Sequence, residues 1–504
     1  MSTFNLIHLV KHLLWSANTD MSTNYSATPA GLEDEIKPAI NLLRGWPSSS
    51  LLPVELIKEA ANAVLSDTSV AYDGLWYGPD PGYEPARVAI ASWLTSFYKP
   101  TASISAGRIC INGGASQSLA CLLSVYTDPE YTRNVWFVSP AYMLAFRVFE
   151  DAGFHGDKQR AVPEDEEGID LEYLRRELEQ SEAKAKKEGN TAPRYKPHRE
   201  RAKVYKHVLY CVPTFSNPSS RTMSLRRRRE LVQLAREYDM LVSCDDVYDF
   251  LQWPADVSQN QLNGSGTKLE MMKTSHLPRL VDVDRELDGG PERDGADGFG
   301  NVCSNGTFSK LLGPGLRCGW VEGAEKFSYG VSQAGAQRSG GAPSHLTSIY
   351  ISRMLVSGQV QKHISDVLQP AYASRYNTMA KAAKEHLLPL GFSLSQPDRD
   401  VVGGYFIWLG LPHEIKAIEL TKRCQEAEAL IIAPGSIFEV PADDSAKFEH
   451  DIRLCFAFED EPKLREGVRR ISVVAKKLLA GAHSTGDYVM VPKAEDEDRL
   501  QNFM

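Results

Sequence analysis

The segment "HVLYCVPTFSNPSSRTMSLRRRRELVQLAREYDMLVSCDD" (residues 207–246) contains one complete strand–helix–strand pattern. Its first and last apolar runs each predict a buried strand. Between them, Ser224 precedes residues 225–239 in the position of a helix cap, and apolar residues then recur at helical spacing. A helix between two apolar strands is typical of a mostly parallel sheet covered by helices.

The same alternation continues toward the N-terminus. "RICIN" (108–112) and "NVWFVS" (134–139) predict strands, and an amphipathic run follows each of them. Two stretches, 156–205 and 255–300, interrupt the pattern with charged or Gly- and Asn-rich residues, and we interpret both as surface insertions. After Pro370 the pattern changes to that of a smaller α+β domain. We therefore expect an α/β protein with a large and a small domain.

Composition excludes several classes of protein. The chain has 504 residues, 42% of them hydrophobic, and a net charge of −9, so it has no basic field for nucleic acid or an anionic membrane. No apolar run approaches the roughly 20 residues of a membrane span. Eight scattered cysteines without a CxxC motif favour a reducing compartment, which we take to be the cytoplasm. His8 and His12 lack partners at metal-ligand spacing, so we expect no metal site.

Polar groups follow the predicted strands. The Gly113–Gly114 pair precedes a helix that starts with Ala115 and Ser116, and such an N-terminus suits a phosphate group. Tyr142 follows the next strand, where its ring could stack on a flat ligand. Asn217 lies in an Asn-Pro pair after a further strand. Each of these signals, taken alone, more often reflects a turn or a core residue than a binding site.

Three charged residues make the combination specific. Asp245 ends a buried strand, where a carboxylate is costly without a cationic partner. Lys310 lies in "SNGTFSKLLGPGLRCGW" (304–320), and a buried lysine has a lowered pKa and can act as a nucleophile. Arg317 offers a planar fork that suits phosphate. A phosphate, a ring with a basic nitrogen and an aldehyde together describe pyridoxal 5'-phosphate (PLP).

At this level of detail the chain resembles fold-type-I PLP-dependent aminotransferases of class I/II. The resemblance runs from about residue 40 to 474, and the pattern is similar to the fungal branch related to 2-aminoadipate and kynurenine aminotransferases. The motifs that carry it, in chain order, are "NLLRGWP", "YGPDPGYEPAR", "NGGASQSL", "SPAYMLAF", "PTFSNPSSRT", "CDDVY", "SNGTFSKLLGPGLRCGW", "GGYFIWL", "APGSIF" and "IRLCF". It implies a large domain with a mostly parallel seven-stranded sheet flanked by helices, and a small α+β domain.

The resemblance also implies domain boundaries. We expect a flexible N-terminal extension at 1–30 and a segment at 31–75 that joins the small domain. The large PLP-binding domain then spans 76–365 and the small domain 366–480, followed by a mobile tail at 481–504.

The resemblance assigns roles around the ring of the cofactor. It implies that Lys310 binds PLP covalently and shuttles the proton, while Asp245 keeps the pyridine nitrogen protonated. Tyr248 and Asn217 would hydrogen-bond the phenolate oxygen, and Tyr142 would stack on the ring.

Further roles concern the phosphate, the partner subunit and the substrate. The residues expected at the phosphate are Gly114, Ala115, Ser116, Thr307, Ser309 and Arg317. Tyr77 would reach the cofactor of a neighbouring subunit, which implies a homodimer with shared active sites. Arg453 would bind the substrate α-carboxylate, with Asn217 and Gly45 beside it.

Two departures from the family pattern stand out. The usual Asn-Pro-Thr-Gly is Asn217-Pro218-Ser219-Ser220, so Ser220 must take a backbone conformation that suits glycine better. Ala115 stands where a hydroxyl residue is common, so one side-chain contact to the phosphate is absent.

The implied reaction is a ping-pong transamination between an L-amino acid and a 2-oxo acid such as 2-oxoglutarate, by way of pyridoxamine phosphate. The donor class stays open among aromatic, 2-aminoadipate-like and long aliphatic amino acids. A PLP-dependent lyase, decarboxylase or carbon–carbon bond-forming enzyme is the alternative on the same fold. A regulator with an aminotransferase-like domain is disfavoured. Such proteins carry a winged helix-turn-helix ahead of this domain, whereas only about 40 residues precede "NLLRGWP" and the net charge is negative.

Overall fold

The computed structural model of the chain describes residues 37–197, 199, 201–255, 277–338, 340–395 and 401–481. The predicted N-terminal extension (1–30) lies outside these residues, as does the predicted tail apart from Gly481. Among the described helices, none is both long enough and apolar enough to cross a bilayer.

The strands alternate with helices through the first half of the chain. In chain order the strands are β1 (Ile40–Asn41), β2 (Ile109–Asn112), β3 (Asn134–Ser139), β4 (Gln159–Pro163), β5 (His207–Cys211), β6 (Met240–Asp245), β7 (Gln252–Pro254), β8 (Val302–Thr307), β9 (Gly319–Glu322), β10 (Ser393–Leu394), β11 (Val401–Gly403), β12 (Phe406–Gly410), β13 (Leu430–Ile431), β14 (Ala433–Pro434) and β15 (Asp451–Cys455).

The helices are α1 (Val54–Ser66), α2 (Thr68–Leu75), α3 (Glu84–Tyr98), α4 (Ala115–Tyr126), α5 (Met143–Asp151), α6 (Leu171–Lys187), α7 (Leu225–Glu237), α8 (Leu280–Glu286), α9 (Glu325–Ser332), α10 (Gly335–Arg338), α11 (His345–Val356), α12 (Gln359–His363), α13 (Gln369–His386), α14 (Ala417–Glu428) and α15 (Glu461–Leu479). A π-helical turn (Ile364–Leu368) joins α12 to α13. As predicted, the Ser224 hydroxyl caps α7 by accepting from the N–H of Arg227.

The large sheet has seven strands in the order β2-β9-β8-β6-β5-β3-β4. β9 runs antiparallel to β2 and β8, and the other neighbouring pairs are parallel. Every residue of β5 and β6 is buried, as expected for central strands with both faces covered by helices. The prediction of an α/β fold with a mostly parallel seven-stranded sheet is confirmed.

A second, smaller sheet follows in the C-terminal part. It has the order β10-β12-β15-β14, with antiparallel neighbours throughout. α15 packs on α13 and α14 in this part of the chain. β1 near residue 40 pairs with β13 near residue 430, and this pairing joins the N-terminal segment to the C-terminal part. The domain boundaries given above stay a prediction.

The interpretation of 156–205 as a surface insertion is wrong in its first part. β4 pairs with β3 along its whole length and forms an edge of the large sheet. α6 follows and buries Leu171, Leu174 and Leu178. The charged residues of α6 occupy its exposed face, and they concealed this apolar stripe in the sequence.

The described part of the second predicted insertion is also integrated into the fold. α8 packs against β8, and its residues from Leu280 to Asp284 are buried. Arg279 anchors its start through ion pairs with Asp282 and with Glu322 of β9, each at 2.9 Å. Residues 256–276 lie outside the described part.

Candidate active site

A cavity of about 420 Å³ collects most of the site residues predicted from the sequence. Those that line it are Gly45, Ala115, Ser116, Tyr142, Asn217, Asp245, Tyr248, Thr307, Ser309, Lys310, Arg317 and Arg453. Gly114 lies beside it, because a Cβ added there would come within 3.2 Å of the Arg317 guanidinium. Tyr77 is not in the lining and is 89% exposed.

The topology of the large sheet explains why these residues meet. Asp245 ends β6 and Thr307 ends β8, while Gly114 and Tyr142 follow the ends of β2 and β3. All four strands run in the same direction, so their carboxyl ends lie at one edge of the sheet. Ligands of open α/β sheets bind at this edge.

The start of α4 and the turn around Arg317 form a cationic corner of the cavity. Gly114 has φ = 101°, in the region that favours glycine, and the first N–H groups of α4 follow it. Arg317 also adopts a left-handed conformation, with φ = 48°. Thr307 Oγ1 and Ser309 Oγ lie 2.9 Å apart in the same lining. Free helix N–H groups, hydroxyls and a guanidinium are donors that suit a phosphate group.

Asp245 is held by two neutral donors. The Tyr210 hydroxyl donates to its Oδ2 at 2.9 Å, and Asn305 Nδ2 donates to its Oδ1 at 3.4 Å. Burial raises the pKa of Asp245 to about 6, although the bond from Tyr210 and the charge of Lys310 act in the opposite direction. The carboxylate is therefore mostly ionised at neutral pH, and a cationic ligand atom beside it would compensate for its burial.

Lys310 points into the cavity from the turn after β8. Its Nζ donates to the carbonyl of Gly45 at 2.8 Å, and the Tyr405 hydroxyl donates to the backbone carbonyl of Lys310 at 3.1 Å. Burial lowers the pKa of Lys310 to about 8, with Asp245 opposing the shift. An amine with this pKa is partly neutral near neutral pH, which a nucleophile or base requires.

Arg453 enters the cavity from β15 of the small sheet and is only 2% exposed. It donates to Asn217 Oδ1 at 2.7 Å and to the carbonyl of Leu43 at 2.6 Å, and its guanidinium lies 4.0 Å from the ring centre of Phe406. Among the described residues, no carboxylate forms an ion pair with it, and its Nε has no hydrogen-bond partner. Burial lowers the pKa of Arg453 to about 10. This buried guanidinium is suited to an incoming carboxylate.

Two tyrosines complete the predicted set. Tyr142 precedes the first residue of α5, and burial raises its pKa to about 12. Tyr248 is 3% exposed, and burial raises its pKa well above the usual value. Both phenols are therefore protonated at neutral pH and available as hydrogen-bond donors.

The backbone prediction for Ser220 is confirmed. This residue has φ = 61°, a conformation that glycine adopts more easily. Its hydroxyl donates to the carbonyl of Phe406 at 2.7 Å and thereby joins the Asn217 turn to the small sheet.

Several residues of the lining were not predicted from the sequence, among them Arg44, Tyr210, Asn305 and Phe406. Asn305 is the register partner of Asp245 across β6 and β8, and its Nδ2 also donates to the carbonyl of Ala115 at 2.9 Å. That register is a property of the assembled sheet and could not be found from the strands alone. Arg44 lies in the quoted motif "NLLRGWP", where its charge was a signal that could have been used.

Fold and site together define a PLP-dependent transferase of fold type I. Residues 41–471 match the family model described as aminotransferase class I and II. The chain belongs to this family and is a PLP-dependent aminotransferase.

Individual relatives include an uncharacterized protein and named aminotransferases. An uncharacterized protein of Saccharomyces cerevisiae is 34% identical over 452 residues, which span 87% of this chain and 97% of that protein. The α-aminoadipate aminotransferase of Thermus thermophilus, solved with N-(5'-phosphopyridoxyl)-L-leucine, is 26% identical with a TM-score of 0.65 and covers 88% of this chain and 94% of its own. A kynurenine aminotransferase of Pyrococcus horikoshii, solved with PMP, is 25% identical with a TM-score of 0.69. The match covers 95% of this chain and 97% of that protein.

The residues present fit the cofactor that the family implies. The buried carboxylate of Asp245 suits a protonated ring nitrogen, and the amine of Lys310 suits an aldehyde. A side chain at Gly114 would crowd Arg317 in the corner suited to the phosphate.

Proposed function

We propose that this protein transfers an amino group between an L-amino acid and a 2-oxo acid such as 2-oxoglutarate, in a ping-pong reaction. The observation that carries the proposal is that Lys310, Asp245, Arg317 and Arg453 line one cavity. Lys310 supplies the amine, Asp245 the partner of the ring nitrogen, Arg317 a cation for the phosphate and Arg453 a cation for the substrate α-carboxylate. The amino donor is an aromatic, 2-aminoadipate-like or long aliphatic amino acid, and the α-aminoadipate and kynurenine aminotransferases among the structural relatives support the 2-aminoadipate-like and aromatic classes.

The residues proposed to hold the cofactor are the donors around the cavity. Gly114, Ala115 and Ser116 offer the N-terminus of α4 to its phosphate. The side chains that join them there are Thr307, Ser309 and Arg317. Asp245 would hold the proton on the ring nitrogen, and Tyr210 and Asn305 orient its carboxylate. Tyr248 and Asn217 would donate to the phenolate oxygen, and Tyr142 would pack against the ring.

The chemistry at the substrate depends on Lys310 and Arg453. PLP, when bound, supplies an electron sink for the electron pair left at the substrate α-carbon. Arg453 binds the α-carboxylate through its planar fork and so fixes the α-carbon relative to Lys310. Lys310 removes the proton from the α-carbon, because its pKa, lowered to about 8, leaves part of the amine neutral near neutral pH. Gly45 accepts from Lys310 and holds the amine at the cavity wall.

The proposal includes a homodimer. Tyr77 is 89% exposed and follows Leu75 and Trp76, which are 65% and 76% exposed. An exposed run of large apolar side chains is characteristic of an interface, and it supports a role for Tyr77 at the cofactor of a second subunit. A cytoplasmic location is part of the same proposal, and the eight free, buried cysteines support it.

A single-turnover assay of the purified holoenzyme tests the reaction type. Addition of an amino donor without any oxo acid should convert bound PLP to pyridoxamine phosphate once, and 2-oxoglutarate should restore the original absorbance. Lys310→Ala should lower turnover by at least about 10³-fold, since it removes both the covalent attachment and the base. Lys326→Ala is the matched control, because Lys326 donates to the carbonyl of Asp297 at 2.8 Å outside the cavity.

Two results would contradict the proposal. Continued product formation without an oxo acid would indicate elimination or decarboxylation instead of transamination. Transamination by the Lys310→Ala variant at the wild-type rate would show that another residue moves the proton.

A further inference from the structure

Five charged side chains line the cavity: Arg44, Asp245, Lys310, Arg317 and Arg453. The proposed function uses four of them, for the ring nitrogen, the aldehyde, the phosphate and the substrate α-carboxylate. Arg44 has no part in any of these interactions. A further cation in the lining indicates a further anionic group in the ligand, because a cation that faces a partly closed cavity is costly without one.

The backbone around Arg44 is fixed by the two residues that act on the substrate. The carbonyl of Leu43 accepts from Arg453 at 2.6 Å, and the carbonyl of Gly45 accepts from Lys310 at 2.8 Å. Consecutive Cα atoms are about 3.8 Å apart, so Arg44 begins one residue away from each of these contacts. Its own N–H donates to Asn41 Oδ1 at 3.0 Å, which fixes the turn further. The backbone of Arg44 therefore lies between the contacts of Arg453 and Lys310, the two residues proposed to act on the substrate.

The Arg44 side chain is held by aromatic rings and not by a carboxylate. Its guanidinium lies 4.8 Å from the ring centre of Trp46 and 5.7 Å from that of Phe458. Those two rings pack edge to face with centres 6.1 Å apart. Arg44 Nε is buried without a hydrogen-bond partner, and no described carboxylate forms an ion pair with this residue. Stacking on rings restricts the guanidinium while its donors remain available for a planar anion.

The uncharged lining suits an aliphatic stem. Leu119, Met143, Leu144 and Val148 contribute apolar surface to the same cavity. Methylene groups gain free energy when they leave water for such a surface, by about 0.8 kcal/mol for each buried CH₂. A ligand with an α-carboxylate, several methylene groups and a terminal carboxylate would satisfy Arg453, the apolar lining and Arg44 together.

We propose that Arg44 binds the side-chain carboxylate of the amino donor, and that the preferred donors are dicarboxylic amino acids with an aliphatic stem. This inference rests on the proposed function, because it needs Arg453 at the α-carboxylate and Lys310 at the α-carbon. It narrows the three donor classes left open above to the 2-aminoadipate-like class.

The test compares two donors that differ in one charged group. Single-turnover kinetics of the holoenzyme give kcat/KM for L-2-aminoadipate and for L-norleucine, whose side chain ends in a methyl group. Arg44→Gln should lower the ratio of the first value to the second by about 10- to 100-fold, the range for hydrogen bonds to a charged group. Arg44→Lys keeps the charge without the fork and should recover part of this ratio.

Arg147→Gln is the matched control. Arg147 lies on α5, whose first residues line the cavity, but its side chain is 71% exposed and pairs with Glu150 and Asp151 of the same helix. The Arg147→Gln substitution removes one positive charge from the surface. It should change the ratio of the two kcat/KM values by no more than about twofold, as expected for an exposed pair. The melting temperature and the bound-PLP absorbance of each variant verify that it is folded and loaded.

The outcomes separate this inference from the proposed function. If the wild-type enzyme transaminates L-norleucine or L-phenylalanine better than L-2-aminoadipate, and Arg44→Gln leaves the ratio unchanged, Arg44 has no such role although the enzyme is a transaminase. If no donor is transaminated by the wild type, the proposed function itself fails, and the inference fails with it. A fall in the ratio for Arg44→Gln but not for Arg147→Gln supports the inference.

Discussion

The cavity has a floor and a wall that are built in different ways. The floor consists of residues at the strand ends and turns of the large sheet, namely Ala115, Ser116, Tyr142, Asn217, Asp245, Thr307, Ser309, Lys310 and Arg317, with Gly114 beside them. The wall consists of Leu43 to Gly45, Phe406 and Arg453, which come from the N-terminal segment and the small sheet. Direct contacts join the two, since Lys310 donates to Gly45 and Arg453 donates to Asn217.

The proposed function divides binding of the cofactor and of the substrate between these two regions. The floor contains the groups that suit the cofactor. The wall contains Arg44 and Arg453, the two cations proposed to bind the substrate. Changes in the floor should therefore alter PLP binding, whereas changes in the wall should alter the Michaelis constant for the amino donor. Three substitutions test this division.

Asp245→Asn should have the largest effect. It removes the charge opposite the proposed ring nitrogen, and single electrostatic contributions of this kind are worth about 10²- to 10³-fold in kcat. The affinity of the cofactor-free wild type for PLP should also rise as the pH rises through about 6, because the raised pKa of Asp245 means that its carboxylate ionises in that range. Steady-state kinetics measure the loss in kcat, and titration of PLP binding between pH 5 and 8, read by absorbance, measures the pH dependence of the affinity.

The pH dependence near 6 should disappear in Asp245→Asn. It should persist in Asp170→Asn, where the residue caps α6 by accepting from the N–H of Tyr173 and does not line the cavity. An unchanged pH dependence in Asp245→Asn would assign the titration to another group.

Arg453→Lys should have a smaller effect, and this effect should be limited to binding of the amino donor. Lysine keeps the charge but not the fork, so the Michaelis constant for the amino donor should rise by about 10- to 100-fold. The affinity for PLP should change by less than threefold, since the proposed cofactor contacts lie in the floor. Steady-state kinetics give the Michaelis constant, and equilibrium titration gives the affinity for PLP. If the affinities for the amino donor and for PLP fell equally, the division between floor and wall would be contradicted.

Gly114→Ala should have the smallest effect on turnover and a measurable effect on stability. A side chain at φ = 101° is strained, and its Cβ would lie 3.2 Å from Arg317 Nη2. We expect a loss of about 1–3 kcal/mol in the free energy of unfolding, together with weaker PLP binding. Urea denaturation of the cofactor-free protein measures the first quantity.

Gly113→Ala is the matched control for that substitution. A Cβ at Gly113 would meet Gln117 at 3.6 Å, an ordinary contact distance. It should therefore lose clearly less stability than Gly114→Ala, and equal losses would show that the left-handed backbone is not the cause.

The floor was predictable from the sequence because it follows local rules. Polar residues directly after apolar strands identified Asp245 and Tyr142, and a Gly-rich helix start identified Ala115 and Ser116. The wall was predicted only in part. Gly45 and Arg453 came from resemblance to a family, and Arg44 was overlooked although it lies in a quoted motif.

Two errors have the same physical origin. α6 was interpreted as part of an insertion because charges on its exposed face outweighed its three buried leucines in the sequence. Asn305 was overlooked because its contact with Asp245 depends on the register between β6 and β8. Both depend on which neighbour covers a residue, which local composition does not specify.

The sequence by itself determined the fold class and the cofactor chemistry, since strand–helix alternation and the residues at strand ends are local patterns. Only the tertiary structure decided the wall of the site. It brings Leu43 within 2.6 Å of Arg453 across 410 positions of the chain, and with that contact it places Arg44 in the cavity. The proposed selection of the substrate belongs to this non-local part, because it would depend on the distance between groups that are far apart in the chain.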